Sequence, residues 1–261
     1  MIKILSSKTS QRNPSVTKLR RQKDEDNLGW LSRGLDHLKV PRDGILLVLV
    51  GGLDPISFRL RIAQAHIRHD FSPSHWSHVM LLGPRQAALS KMGTFEISLT
   101  PPRGFGFPAP WNALQQGGLP QYQKADEFPN IALIHLPASE TVSRARITQA
   151  LKDFKKQRSV LDAQDLLLRW LAFAWGVGRT GNPLLEGCGI PSAAMLEVVL
   201  GTAGFDLTPG LESRSSCPEA IWQAAVWWHE YYKQHRDEVL HGVYCQDHVL
   251  MPAQEVTDIR F

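Results

Sequence analysis

Trp76-Ser77-His78-Val79-Met80-Leu81-Leu82-Gly83 places a histidine inside an apolar run with strand character. Side chains alternate across a strand, so His78, Met80 and Leu82 share one face and Val79 and Leu81 the other. A second strand is expected over Thr94–Leu99, where Glu96 lies between Phe95 and Ile97 and shares a face with Thr94 and Ser98. Gly83–Gly93, eleven residues, is long enough to join the two as an antiparallel pair with an extended loop. A register then exists that sets Glu96 beside His78. An imidazole in such surroundings needs a partner or a task, and a carboxylate at one ring nitrogen fixes its tautomer. Taken alone, His78 reads equally well as a satisfied structural histidine, and Glu96 as a solvated residue on an edge strand. His75, between Ser74 and Trp76, is the rival base and reads as a loop residue.

Upstream, Val40-Pro41-Arg42-Asp43-Gly44 is a turn signal leading into Ile45-Leu46-Leu47-Val48-Leu49-Val50, a strand apolar on both faces. Ile131–Leu136 is another strand. Helical spacing marks Leu28–Leu38, Ile56–Arg68, Thr141–Lys156, Leu161–Val177, Pro191–Leu200 (stopping at Gly201) and Pro218–Tyr232. Pro101–Pro110 is too rich in Pro and Gly for a helix, and its aromatics suit the wall of a cleft. Strands gather in the first half and helices in the second. That order predicts an α+β fold in one domain, an antiparallel sheet packed against helices.

The chain has 261 residues with a net charge of +4. Residues 1–26 hold seven basic and three acidic groups, so the tail carries the whole of that charge and the remainder is balanced. The expected organisation is a flexible basic tail over 1–27 and a single catalytic domain over 28–261. The body has no positive field for nucleic acid, while the tail is able to touch an anionic surface at the periphery. No secretory signal and no run of about 18 apolar residues is visible. The expected location is the cytoplasm, or outside it by a route that uses no cleavable signal. Three cysteines, Cys188, Cys217 and Cys245, show no metal-ligand spacing, and neither a metal nor another cofactor is expected. Gly176-Val177-Gly178-Arg179-Thr180-Gly181 lacks the ending of a phosphate loop. Trp222, Trp227, Trp228, Tyr231 and Tyr232 fall on one helix and read first as core.

Gly187-Cys188-Gly189 stands just ahead of a helix opened by Pro191. A thiol attacks acyl groups as the thiolate, which a helix N-terminus favours. The flanking glycines leave amide N–H groups open to serve an oxyanion. A lone cysteine beside a helix is more often part of a core. Cys217 also opens a helix, but Pro218 behind it has no N–H to offer.

The order His78, Glu96, Cys188, with a Ser-His-Val strand and a long gap before the thiol, resembles the circularly permuted NlpC-like papain fold, the group of YiiX-like and lecithin:retinol acyltransferase-like proteins. Arg42-Asp43-Gly44-Ile45-Leu46 is similar to that family's opening turn and strand, with Gly-Asp inverted. Ala193-Ala194-Met195-Leu196 is similar to its nucleophile helix, and Phe205–Pro209 and Pro218–Trp222 to its Pro-bearing tail. The likeness spans roughly residues 40 to 225. The chain departs from the family at Gly189, where a Ser is usual, and in the early Pro191. The resemblance implies a papain-like thiol hydrolase or acyltransferase with Cys188 as nucleophile, His78 as base and Glu96 as orienting residue. The activity implied is cleavage of a peptide, amide or ester acyl bond, with cell-wall peptide among the expected substrates, through an acyl-cysteine. The alternatives are a lipid acyltransferase of the same fold and an inactive binding module.

Overall fold

The computed structural model describes residues 17–41, 44–100, 109, 111–136, 142–235 and 241–244, with backbone alone for 17–18, 230–235 and 241–244. Seven strands among the described residues form one sheet: β1 (Thr17–Lys18), β2 (Ile45–Gly51), β3 (His78–Leu82), β4 (Gly93–Glu96), β5 (Gln115–Gly118), β6 (Asn130–Leu136) and β7 (His241–Tyr244). Their order is β1-β7-β6-β2-β3-β4-β5. The pairing β6-β2-β3-β4-β5 is antiparallel throughout, β7 joins β6 antiparallel, and β1 joins β7 parallel.

Among the described residues six α-helices accompany the sheet: α1 (Asn27–His37), α2 (Pro55–Ala63), α3 (Arg144–Lys156), α4 (Ala163–Trp175), α5 (Pro191–Thr202) and α6 (Pro218–His235). The fold is α+β, as the clustering of strands and helices along the chain predicts. Local chemistry starts several of the helices. Asp26, Asp54, Ser143 and Asp162 accept hydrogen bonds from first-turn N–H groups of α1 to α4, and Pro55 and Pro191 open α2 and α5.

The central strands are buried on both sides because two apolar layers cover them. On one face Ile45, Leu47, Leu49, Val79, Leu81, Ala132 and Ile134 pack against the inner sides of α2 to α6. On the other, Leu46, Val48, Val50, Met80, Leu82, Ile131 and Leu133 meet Trp30, Leu31 and Leu35 of α1, with Met92, Leu119 and Tyr122. Burying so many aliphatic side chains at about 25 cal/mol per Å² of apolar surface is the main force holding the sheet in place.

Several boundaries differ from those expected. Residues 19–26 belong to the body and not to a flexible tail. Leu19 packs on the α1 side, Trp30 Nε1 donates to the Leu19 carbonyl at 2.8 Å, and Arg33 pairs with Glu25 at 2.7 Å. Residues 1–16 lie outside the described part. Helix α2 stops at Ala63, not Arg68, and is followed by a 3-10 turn over Ala65–Ile67. The buried Gln64 side chain donates to Leu60 and Trp76 carbonyls at this point. Helix α5 runs through Gly201, because Gly204, at φ 97°, supplies the left-handed position that ends the segment. β4 ends at Glu96 instead of Leu99. β5 escapes sequence reading altogether, since Gln115-Gln116-Gly117-Gly118 has no apolar alternation.

Candidate functional site

His78 opens β3 opposite Val50 of β2, which puts its ring on the α1 side of the sheet. β4 pairs Thr94 with Leu82 and Phe95 with Leu81, so Thr94 and Glu96 stand on that same side. The result is a hydrogen bond of 2.7 Å between His78 Nε2 and Glu96 Oε2.

Glu96 is fully buried, and four donors converge on it. Oε2 accepts from His78 and from the Tyr122 hydroxyl in a very short contact. Oε1 accepts from Thr94 Oγ1 at 2.5 Å and Gln121 Nε2 at 2.7 Å. Burial pushes a carboxyl pKa up, but the bonds and charge offered by His78, with those of Thr94 and Tyr122, outweigh it and hold Glu96 below its ordinary value. Tyr122 lies parallel to the imidazole, ring centres 5.8 Å apart, and burial beside the carboxylate drives its own pKa well up, so it stays a neutral donor. Glu96 is thus a saturated, fixed anion. Such a group orients a histidine and has no lone pair left to shuttle protons itself.

The second ring nitrogen, Nδ1, has no hydrogen-bond partner among the described residues and is not sealed inside. His78 lines a small cleft at the end of β3, together with Ile56, Ser57 and Leu60 of α2, Ser77, Ser98 and Tyr122. Ser77 is held by bonds to Gly52 and Val50 and is not free for chemistry. With Nε2 bonded to a carboxylate, Nδ1 is the nitrogen able to take a proton from a group in the cleft.

Cys188 stands elsewhere. It packs against the apolar cluster that covers the sheet face opposite to the His78 ring, where its carbonyl accepts from Trp170 Nε1, and it is not among the residues lining the cleft. No hydrogen bond joins it to His78 or Glu96. Its sulfur, partly exposed, has a weak contact of 3.9 Å with the Glu186 carbonyl and lies in the field of Arg169 on α4. The expected supports of a thiolate are also occupied. The N–H groups of Gly187, Cys188 and Gly189 donate to Leu184, Pro183 and Arg214, which leaves no amide of that stretch for an oxyanion. Gly189 is required for close packing, since a Cβ there would come within 2.4 Å of the Ser216 carbonyl oxygen. Helix α5 starts three residues later, with no side-chain cap.

Of the rival groups, Cys217 is fully buried, with its thiol pushed up to about 12 by burial, and cannot act as a nucleophile near neutrality. His75 is pushed down to about 3 by burial, with Arg68 and Arg61 adding to the effect. Trp222 packs at the core edge against Trp76. Cys245, the side chains of Tyr231 and Tyr232, and all of Pro101–Pro110 except Ala109 lie outside the described residues. Thr94 could have been found from its spacing of two from Glu96. Gln121 and Tyr122 could not, because a 3-10 turn over Leu119–Tyr122 delivers them from beyond β5.

Among the described residues no group of three His, Cys, Asp or Glu side chains stands where it could hold a metal ion, and no helix is long and apolar enough to cross a membrane. The chain matches no protein-family model, no curated protein and no solved structure. Fold and site together define an α+β protein with a carboxylate-oriented histidine opening on a cleft.

Proposed function

We propose that the protein hydrolyses or transfers an acyl group held in an amide, peptide or ester bond, with His78 as general base and Glu96 as its positioning residue. The observation that carries this reading is the His78 ring bonded through Nε2 to a saturated carboxylate while Nδ1 opens on the cleft. His78 would withdraw the proton of the attacking group as its bond to the acyl carbon forms. It would return that proton to the departing nitrogen or oxygen as the old bond breaks. Glu96 would stabilise the imidazolium between the two steps. Ile56, Leu60 and Leu99 give the cleft an apolar wall, which favours an acyl portion of low polarity, including a lipid-like one. The antiparallel run β2-β3-β4 and the packing of α5 on β3 support the permuted papain-like arrangement.

In the thiol version Cys188 is the attacking group and an acyl-cysteine forms. That version requires the sulfur to reach around the end of β3, and the position of Cys188 on the opposite face weighs against it. A non-enzymatic binding module of the same fold is favoured by the same observation. A panel of p-nitrophenyl esters and acyl-peptide amides, assayed with His78→Ala and Cys188→Ala, tests the reading. Turnover that disappears with His78→Ala supports it. Loss with Cys188→Ala as well, accompanied by iodoacetamide labelling of Cys188 that slows on His78→Ala, supports the thiol route. Turnover that His78→Ala leaves unchanged, or none on any substrate, defeats the proposal.

A further inference from the structure

We infer that Ser57 is the nucleophile of the cleft, so that Ser57, His78 and Glu96 work together as a hydroxyl-based triad. The inference rests on the acyl-transfer reading and supplies the attacking group that Cys188, packed with the cluster on the opposite face, does not. Ser57 lies in the first turn of α2 and lines the same cleft as His78. That cleft encloses about 310 Å³, small for a ligand site, so groups on its walls face one bound group. Asp54 accepts from the Ile56 and Ser57 N–H groups at 3.0 Å each and fixes the turn that carries the hydroxyl.

Gly52 gives that hydroxyl its place. A Cβ on Gly52 would come within 2.5 Å of Ser57 Oγ, so the hydroxyl fills the space a side chain there would take. Gly52 stands just past the end of β2, two residues beyond Val50, which pairs with His78. Its N–H donates to Ser77 Oγ at 3.1 Å, which ties it to the neighbour of His78. Ser57 is only 8% exposed, yet its hydroxyl has no hydrogen-bond partner among the described residues and is not sealed from the cleft. The usual helical solution, a bond to the carbonyl four residues back, is not made. A buried hydroxyl left unpaired is unfavourable for folding alone and calls for another reason. The other hydroxyls of the cleft are less suited. Ser77 bonds Gly52 and Val50, Ser98 Oγ accepts from the Thr100 N–H, the Tyr122 hydroxyl is given to Glu96, and Thr100 itself is exposed.

With Nε2 donating to Glu96, His78 presents the Nδ1 lone pair to the cleft. Ser57 Oγ bonds to the acyl carbon while Nδ1 takes its proton. The bond from that carbon to the leaving nitrogen or oxygen breaks, its electron pair going to the leaving atom, which receives the proton from His78. The products are an acyl-Ser57 ester and a free amine or alcohol. Water then attacks the ester, Nδ1 takes one of its protons and returns it to Ser57 Oγ as the ester bond breaks, and the carboxylic acid departs.

The test pairs turnover of p-nitrophenyl butyrate with labelling by a fluorophosphonate, the labelled residue being located by peptide mass spectrometry on the full chain. One phosphonyl group is expected on Ser57, absent in Ser57→Ala and in His78→Ala. Turnover in Ser57→Ala should fall at least about 10³-fold. Its Tm should match that of the parent, because the hydroxyl has no bond to lose. Turnover that is lost in His78→Ala but kept in Ser57→Ala overturns the inference and leaves the acyl-transfer reading standing, as does phosphonylation of the parent at another residue. Neither turnover nor labelling of the parent chain overturns both.

Discussion

Replacing Glu96 with Gln changes one buried atom and removes one buried charge. In the parent chain the carboxylate accepts from His78, Tyr122, Thr94 and Gln121 at once. The amide offers a single oxygen. With that oxygen toward His78 and Tyr122, its NH2 points at Thr94 and at the NH2 of Gln121, so one donor pair is opposed and Gln121 must turn. Each bond to a charged acceptor is worth about 1.5–3 kcal/mol, and breaking a buried ion pair from one side costs about 3–5 kcal/mol. A stability loss of about 3 kcal/mol is therefore expected by denaturant titration at neutral pH. The imidazolium also loses the anion that stabilises it, so kcat on any ester the parent hydrolyses should fall by about 10² to 10⁴-fold. Protonation has a defined direction. Glu96 titrates below its ordinary value of 4.5 in the folded chain, so its contribution is present above 4.5 and lost as the pH falls through the lower folded value. Glu96→Gln should remove that part of the acid sensitivity. Parent-like stability and turnover in Glu96→Gln would refute the claim that four donors fix a charged Glu96.

Two other outcomes follow from the same geometry. Gly117→Ala would place a Cβ 2.9 Å from Thr94 Oγ1 and 3.0 Å from both Gln121 Nε2 and Glu96 Oε1; it should displace the carboxylate and cost about 1–3 kcal/mol, with turnover falling further than stability alone explains. His75, held neutral with a folded pKa of about 3 against an ordinary 6.5, should make the fold lose stability as the pH drops from 6.5 toward 3, and His75→Gln should flatten that slope in a pH series of thermal melts.

Much of the framework is legible in the chain. Six aliphatics bounded by turn residues marked β2, alternation assigned His78, Met80 and Leu82 to one face, and apolar spacing marked the six helical segments. The pairing of β3 with β4 followed from two strands and a joining loop, and with it came the His78–Glu96 contact. Other features had no local signal. β5 holds its place because Gly117 and Gln115 fit beside β4, a property of the partner strand. The stretch 19–26 packs because Trp30 and Arg33 on α1, and Gln123 beyond β5, meet it.

The cysteine marks where local reading ends. A strand pattern says which residues share a face, but it carries no information on which helices cover that face. Chain order and residue type put a base, an acid and a thiol in the sequence. Side-chain period allowed imidazole and carboxylate to share one side of the sheet, and the pairing of Leu81 with Phe95 and Leu82 with Thr94 fixed the register that puts them there. Only tertiary packing decided that α1 and Tyr122 cover that side while Cys188 and α5 lie on the other, because the free energy of covering a two-faced sheet is summed over the whole body and is written in no single segment.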